Sequence, residues 1–222
     1  MPTGTVSLRA ERQLLRSGAA VVGGVDEVGR GALSGPVTVG VVLIDATVRR
    51  SLPGVRDSKL LAPRAREALV PRIQRWAVDW SVGHSTAAEI DEVGIITALR
   101  WAALRAIDGL HLRPDVFLLD GSHDWLSAPA QPSLLDEDAV AATATLIQPV
   151  VTRVKADLTC ASVAAASVLA KTERDGIMRR LADIHPEYGW KHNKGYASAD
   201  HMAALRRHGP CHQHRRSWRL PG

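Results

Sequence analysis

The feature that most constrains this chain is the stretch Gly23-Gly24-Val25-Asp26-Glu27-Val28-Gly29-Arg30-Gly31, which sets two adjacent carboxylates at the end of an apolar run. Residues 19–28 and 36–44 read as buried strands joined by the short glycine-containing link 29–35, hence an antiparallel pair. Neighbouring strand residues face opposite sides of a sheet, so Asp26 and Glu27 cannot both enter one core. A buried carboxylate is costly unless it is paired, protonated or bound to a cation. Any fold for this chain must therefore bring compensating groups to the end of this strand. Gly29 and Gly31 allow backbone conformations or close approaches barred to other residues, and Arg30 adds charge and several donors. A tight hairpin turn alone would need one glycine and no arginine.

Further along, Asp57-Ser58-Lys59-Leu60 lies in a loop before a helix opened by Pro63 and running to about Trp76. Residues 77–86 alternate as a strand. The next segment carries an approximately helical stripe of Ile90, Val93, Leu99, Ala102, Leu104 and Ile107, weakened at Gly94. Residues 115–120 form a short buried strand ending on Asp120. The stretch 121–143, rich in Pro, Ala, Ser and Asp, reads as a surface loop insertion. Strand character resumes over 145–154, with Pro149 demoting it to an edge or a bulge. Residues 160–181 are the strongest helix, rich in alanine, and a last helix over 198–208 has Ser198 as N-cap and Gly209-Pro210 as its stop. Residues 1–17 read as a polar, irregular, flexible start. The expected architecture is one α/β domain over 18–222: a mixed five-stranded sheet flanked by helices, with a basic helical extension from about 184.

A chain of 222 residues, 45% hydrophobic, can bury a core without disulfide or metal support. Its two cysteines, Cys160 and Cys211, are far apart, which suits a reducing, cytoplasmic setting. The most apolar run, 37–44, is too short to span a bilayer, so no membrane partner is expected. The net charge of +5 (28 − 23) can be assigned to residues 201–222, which hold five arginines and no acid. A concentrated basic tail attracts polyanions, of which phosphate backbones are the usual ones.

Four acids fall at element ends or inside apolar strands: Asp26, Glu27, Asp120 and Asp157. Converging carboxylates repel and take up protons, and hard divalent cations such as Mg²⁺ or Mn²⁺ remove that penalty. The matching chemistry is two-metal phosphodiester hydrolysis, in which one ion activates water and the other stabilises the leaving oxygen. Asp157, just ahead of the alanine-rich helix, fits equally a first-turn acid favoured by the helix dipole.

These residues, taken in order, resemble the ribonuclease HII (type 2 ribonuclease H) family. "GVDEVGRGALSGPVTVGVVL" is similar to the family's Asp-Glu-x-Gly-Arg-Gly opening, and "DSKLL", 57–61, to its Asp-Ser-Lys-x-Leu loop. "EIDEVGI", 89–95, "LLDG", 118–121, "SVAAASVLAKTERD", 162–175, "NKGYAS", 193–198, and "HGPCHQHRRSW", 208–218, follow in the expected order. The resemblance implies a ribonuclease H-like fold and cleavage of RNA within RNA/DNA hybrids. It also implies incision 5′ of a ribonucleotide embedded in duplex DNA, leaving 3′-hydroxyl and 5′-phosphate ends. It makes Asp26, Glu27, Asp120 and Asp157 the catalytic, metal-binding acids. Gly29, Arg30 and Gly31 become readers of the ribose 2′-hydroxyl and its phosphate, with Tyr196 stacking near the neighbouring sugar. The chain departs from the pattern at Ala156, where glycine is usual, and at Asn193, where histidine is common.

Ser58, Lys59, Lys194, Arg215 and Arg216 are further candidates for contacts to the nucleic acid. Lys171, Arg174 and Asp175 read as a structural ion-pair set. His208, Cys211, His212 and His214 gather within seven residues, but without a second spaced ligand pair of the zinc-finger type. No interface pattern points to a partner such as a sliding clamp, and a monomer is the default. Two other functions fit the acids: a junction resolvase lacking the ribose reader, and a hybrid-binding protein without catalysis.

Overall fold

The apolar runs around the Gly–Arg stretch pair as expected. In a computed structural model that describes residues 6–127 and 148–221, β1 (Val21–Val28) runs antiparallel to β2 (Val37–Asp45), with Val21 opposite Asp45 and Val28 opposite Thr38. β3 (Asp79–Ser85) continues antiparallel from β2. β4 (Val116–Asp120) lies parallel to β1, and β5 (Val150–Arg153) parallel to β4, so the order is β3-β2-β1-β4-β5. The sheet is mixed and five-stranded. β5 lies on its edge, where a preceding proline is tolerated, and the Pro149 carbonyl accepts from Phe117 N–H at 2.9 Å. Residues 128–147 lie outside the described residues, and with them most of the expected insertion and its acids Asp136, Glu137 and Asp138.

Seven helices are found among the described residues: α1 (Arg9–Arg16), α2 (Pro63–Trp76), α3 (Ala87–Asp108), α4 (Ala156–Thr159), α5 (Ala161–Ile184), α6 (Trp190–Asn193) and α7 (Ala199–His208). α3 and α5 cover opposite faces of the sheet. Val25, Val39 and Val41 pack with Ala98, Leu99 and Ala102 on one side, while Val42 and Ile44 pack with Ala164, Ala165 and Val168 on the other. α5 comes very close. A Cβ added at Gly24 would stand 2.5 Å from the Ser162 backbone, and one at Gly40 2.5 Å from the Ala166 carbonyl. The alanine richness of α5 is thus the counterpart of glycines in the strands beneath it. In α3, Gly94 adopts φ 76°, a non-helical kink at the point where the apolar stripe weakens.

The N-terminus corrects the sequence reading. Residues 9–16 are helical rather than irregular, and Glu11 is fully buried, accepting from both the N–H and the hydroxyl of Ser162 at 2.8 Å. The acid ties α1 to the first turn of α5, where backbone N–H groups lack helical partners. The partner is 151 residues away, so no local pattern displays it.

The C-terminal extension folds back around α5. Tyr188 stacks on Trp190 with ring centroids 5.0 Å apart, and these pack with Leu33, Met178 and Leu205. α7 is capped as read: Ser198 Oγ accepts from His201 N–H at 3.2 Å, and Gly209 ends the helix with φ 69°.

Candidate active site

Parallel β1 and β4 end side by side, with Val25 in register with Leu119, so the next residues, Asp26 and Asp120, reach the same sheet end. The carboxyl ends of parallel strands are where open α/β sheets form crevices. Asp120 Oδ1 accepts from the N–H groups of Ala156, at 2.7 Å, and Asp157, at 3.4 Å, which fastens the start of α4 to the end of β4. Asp157, in the first turn of α4, is thereby brought to the same centre. The chain turns into α4 at Lys155, which takes the left-handed conformation at φ 59°. The freedom that the family's usual glycine would supply at Ala156 is therefore not needed there; Ala156 is helical and buried.

The two adjacent acids separate as alternation requires. Asp26 is buried on the α5 side, beside Ser167, whose hydroxyl donates to Ser58 Oγ at 2.8 Å. Glu27, on the other side, is partly exposed and stands 3.7 Å from Arg30. Burial, then the Glu27 charge, with smaller contributions from Asp120 and Asp157, pushes Asp26 well above the usual carboxylate range. Glu27 is raised by burial and by Asp120 against the opposing effect of Arg30, and Asp157 is raised by burial, Asp120 and Asp57. Lys59, its ammonium 3.6 Å from Asp157 Oδ2, feels burial, yet Asp57, Asp26, Asp157 and Asp120 together hold its pKa above normal.

Four acids thus share one sheet end with a fifth, Asp57, beside them, and among the described residues only Lys59 and Arg30 are paired to them. No three of them bring oxygens within 4.8 Å of one another. An all-carboxylate donor set with excess negative charge, rigidly based on β1, β4 and α4, fits hard, oxygen-seeking divalent ions.

The glycine–arginine loop beside these acids is built on two buried arginines. Arg174 donates to the carbonyls of Pro36 (2.8 Å), Ser34 (3.1 Å) and Lys194 (2.9 Å). Arg215 donates to Gly29 (2.6 Å), Arg30 (2.9 Å) and Gly35 (3.2 Å). Gly29 has φ 86°, and a Cβ there would lie 2.1 Å from Arg174 Nε. Gly31 is different: a Cβ there would meet nothing within 4 Å. Leu33 N–H donates to the Gly195 carbonyl at 2.8 Å, which ties the loop to the segment carrying Tyr196. Tyr196, 37% exposed, has Arg174 5.4 Å and Lys171 6.0 Å from its ring centre. Asn193 serves this segment too, accepting from Gly195 N–H at 2.8 Å.

Three expectations change. Arg215 is fully buried, its guanidinium given to loop carbonyls, so it cannot reach a phosphate. Ser58 is buried and bonded to Ser167, so it supports Asp26 from behind. Arg174 does not pair with Asp175; that acid is held by Lys171, at 2.7 Å, and by Arg66, at 3.2 Å. Arg30, Gly31, Lys59 and Arg216 remain exposed. Lys194 lies at φ 52°, its ammonium turned to the Lys191 carbonyl.

The family model for ribonuclease HII matches residues 23–220. Ribonuclease HII of Streptomyces avermitilis is 42% identical over 219 residues, covering 98% of this chain and 83% of the relative. Among solved structures, ribonuclease H2 of Pyrococcus horikoshii is similar with a TM-score of 0.67 and 27% identity, over 90% of this chain and 94% of that one. The ribonuclease HII of a PCNA complex from Archaeoglobus fulgidus gives the same TM-score and identity, over 91% and 96%. The sheet order, the acids at its end and these matches together place the chain in the ribonuclease HII family, endonuclease hydrolases with ribonuclease H activity on RNA/DNA hybrids.

Proposed function

We propose that this chain hydrolyses the RNA strand of RNA/DNA hybrids and also incises 5′ of single ribonucleotides in duplex DNA, leaving 3′-hydroxyl and 5′-phosphate ends. The observation that carries this reading is the shared sheet end at which burial and the neighbouring Asp120 charge push the carboxyls of Asp26, Glu27 and Asp157 up, beside an exposed glycine–arginine loop. These four acids would hold two Mg²⁺ or Mn²⁺ ions, which supply an activated water and stabilise the leaving oxygen. Asp26, whose carboxyl feels the charges of Glu27, Asp120 and Asp157, is assigned as the shared ligand. Ser167 stands beside it, held by Ser58, and Lys59 restrains Asp157.

The 2′-hydroxyl is the one group that marks a ribonucleotide inside DNA, so the site must touch it. Backbone groups at Gly29 and Gly31 are held for that contact by Arg174 and Arg215, Arg30 takes the adjoining phosphate, and Tyr196 presents a planar face to the neighbouring sugar. Lys59, Lys194 and Arg216 are the remaining candidates for backbone phosphates.

The test uses Mg²⁺ or Mn²⁺ and duplexes carrying zero, one or many ribonucleotides. Cleavage confined to ribonucleotide positions is expected. Cutting of branched all-DNA substrates would favour a resolvase, and tight binding without cutting would favour a non-catalytic binder. Asp120→Asn keeps an acceptor for Ala156 and Asp157 N–H, so it should fold and bind duplex while turnover falls at least about a hundred-fold. A variant that turns over near the wild-type rate removes Asp120 from the mechanism.

A further inference from the structure

The segment after α7 supplies two soft ligands, and the fold brings a third to them from the end of α5. Donor atoms of His185, Cys211 and His212 all lie within 4.8 Å of one another, and theirs is the one such group of three or more among the described residues. His185 follows the last residue of α5, 26 positions before Cys211, so no local spacing announces it. This is why the histidine- and cysteine-rich stretch lacked a second ligand pair when read as sequence alone.

The local hydrogen bonds leave these atoms available. His185 Nδ1 faces Glu187 Oε1 at 3.2 Å, which places its N–H there and leaves Nε2 as a bare lone pair. That Nε2 is buried and has no hydrogen-bond partner. A histidine whose far nitrogen donates to a carboxylate is the arrangement that orients imidazole ligands on metals. The rings of His185 and His212 stand edge to face with centroids 5.5 Å apart. Cys211 Sγ lies 3.4 Å from His214 Nδ1, which also accepts the Cys211 backbone N–H at 3.1 Å. Loss of the thiol proton to solvent would therefore leave His214 Nδ1 still bonded.

His208 and His214 do not join the set. His214 is committed to an interior chain: its Nε2 is 3.1 Å from His201 Nε2, while Trp190 Nε1 donates to His201 at 3.1 Å and His201 Nδ1 meets the Tyr196 carbonyl at 2.9 Å.

We propose that His185, Cys211 and His212 form a second metal site, for a soft divalent ion of the Zn²⁺ type, separate from the acidic centre. One thiolate and two imidazoles select Zn²⁺ over Mg²⁺ or Mn²⁺, and a fourth, tetrahedral position is left for water. Metal there would join the end of α5 to a segment that, three residues after His212, supplies Arg215 to the glycine–arginine loop. The site would act as a brace for that loop.

The experiment titrates the chelator-stripped full chain with Co²⁺ as a spectroscopic stand-in, then displaces it with Zn²⁺. One equivalent should give a thiolate-to-cobalt charge-transfer band and tetrahedral d–d bands, both unaffected by excess Mg²⁺ and retained in Asp26→Asn. The bands should vanish in Cys211→Ser and His185→Gln. They should vanish as well in His212→Gln, where the altered side chain is exposed and folding is not at stake. Glu187→Gln, which loosens the orientation of His185, should weaken binding by about ten- to a hundred-fold. Absence of a charge-transfer band in the wild-type chain, or bands that survive both His212→Gln and His185→Gln, would overturn the proposal.

Discussion

The acidic centre and the pair of arginines beneath the glycine loop are both buried groups of like charge, and they are kept in opposite ways. Among the described residues the arginines have no carboxylate partner, yet six backbone carbonyls accept hydrogen bonds from them. Burial, then the neighbouring Arg174 charge, lowers Arg215 to about 9, and Arg174 is lowered by burial as well. Asp26, Glu27 and Asp157 have few donors aimed at them, and their pKa values are raised instead. A charge saturated by fixed backbone dipoles holds the structure together, whereas a charge left short of partners is waiting for something from outside. Removing charge should therefore have opposite effects in the two places.

The largest expected effect is on the acidic side. Asp26→Asn should lower cleavage by roughly a thousand-fold, as expected when a preorganised electrostatic group at the reacting centre is lost. In metal-free buffer the same variant should be more stable than wild type, because a desolvated charge beside three others has been removed. A rise in Tm of about 2–4 °C corresponds to about 1 kcal/mol at this chain length. Adding Mn²⁺ should stabilise the wild type and leave the variant nearly unmoved. A variant that melts below the metal-free wild type would mean that Asp26 is a structural acid, like Glu11, and would break the contrast.

On the other side, Arg215→Met keeps much of the volume and removes the donors. The carbonyls of Gly29, Arg30 and Gly35 then lose the guanidinium, and its packing over Trp218, at 4.9 Å, goes with it. Losing donors to buried carbonyls predicts a destabilisation of about 3 kcal/mol in urea unfolding. Arg215→Lys should recover only part of this, since an ammonium cannot span three carbonyls with the geometry of a guanidinium. Full recovery by lysine would show that charge, and not the fork of donors, secures the loop.

The same contrast explains how much of the molecule was legible beforehand. Asp26, Glu27 and Asp120 stand out because each interrupts or ends an apolar run, where a carboxylate is out of place. The strands and α2, α5 and α7 were visible for similar local reasons: period, proline at a start, glycine at a stop. Arg174 was read as an ion-pair partner and Arg215 as a phosphate contact, because nothing local shows that carbonyls from residues 29–36 and from Lys194 surround them. Glu11 and His185 were hidden in the same way, each meaningful only through a partner far along the chain. Local pattern reports a charge that is wrong for its element, but not one that a distant backbone has made right.

The finest test lies within the loop, where Gly29 and Gly31 flank Arg30 for different reasons. Gly29 is required by the protein itself: its φ is 86°, and Arg174 fills the place of a Cβ. At Gly31 no positive φ and no neighbour within 4 Å opposes a methyl group, so the fold does not ask for glycine there. The close approach that glycine permits is then reserved for the substrate. Gly31→Ala should leave stability within about 0.5 kcal/mol of wild type. Its kcat/KM on duplexes with one ribonucleotide should fall about ten-fold, equivalent to about 1.4 kcal/mol of lost transition-state binding. Gly29→Ala, by contrast, should lose stability and activity together. If Gly31→Ala cleaves as well as wild type, the space above residue 31 is not where the sugar–phosphate backbone packs, and Arg30 alone must account for the loop's part in recognition.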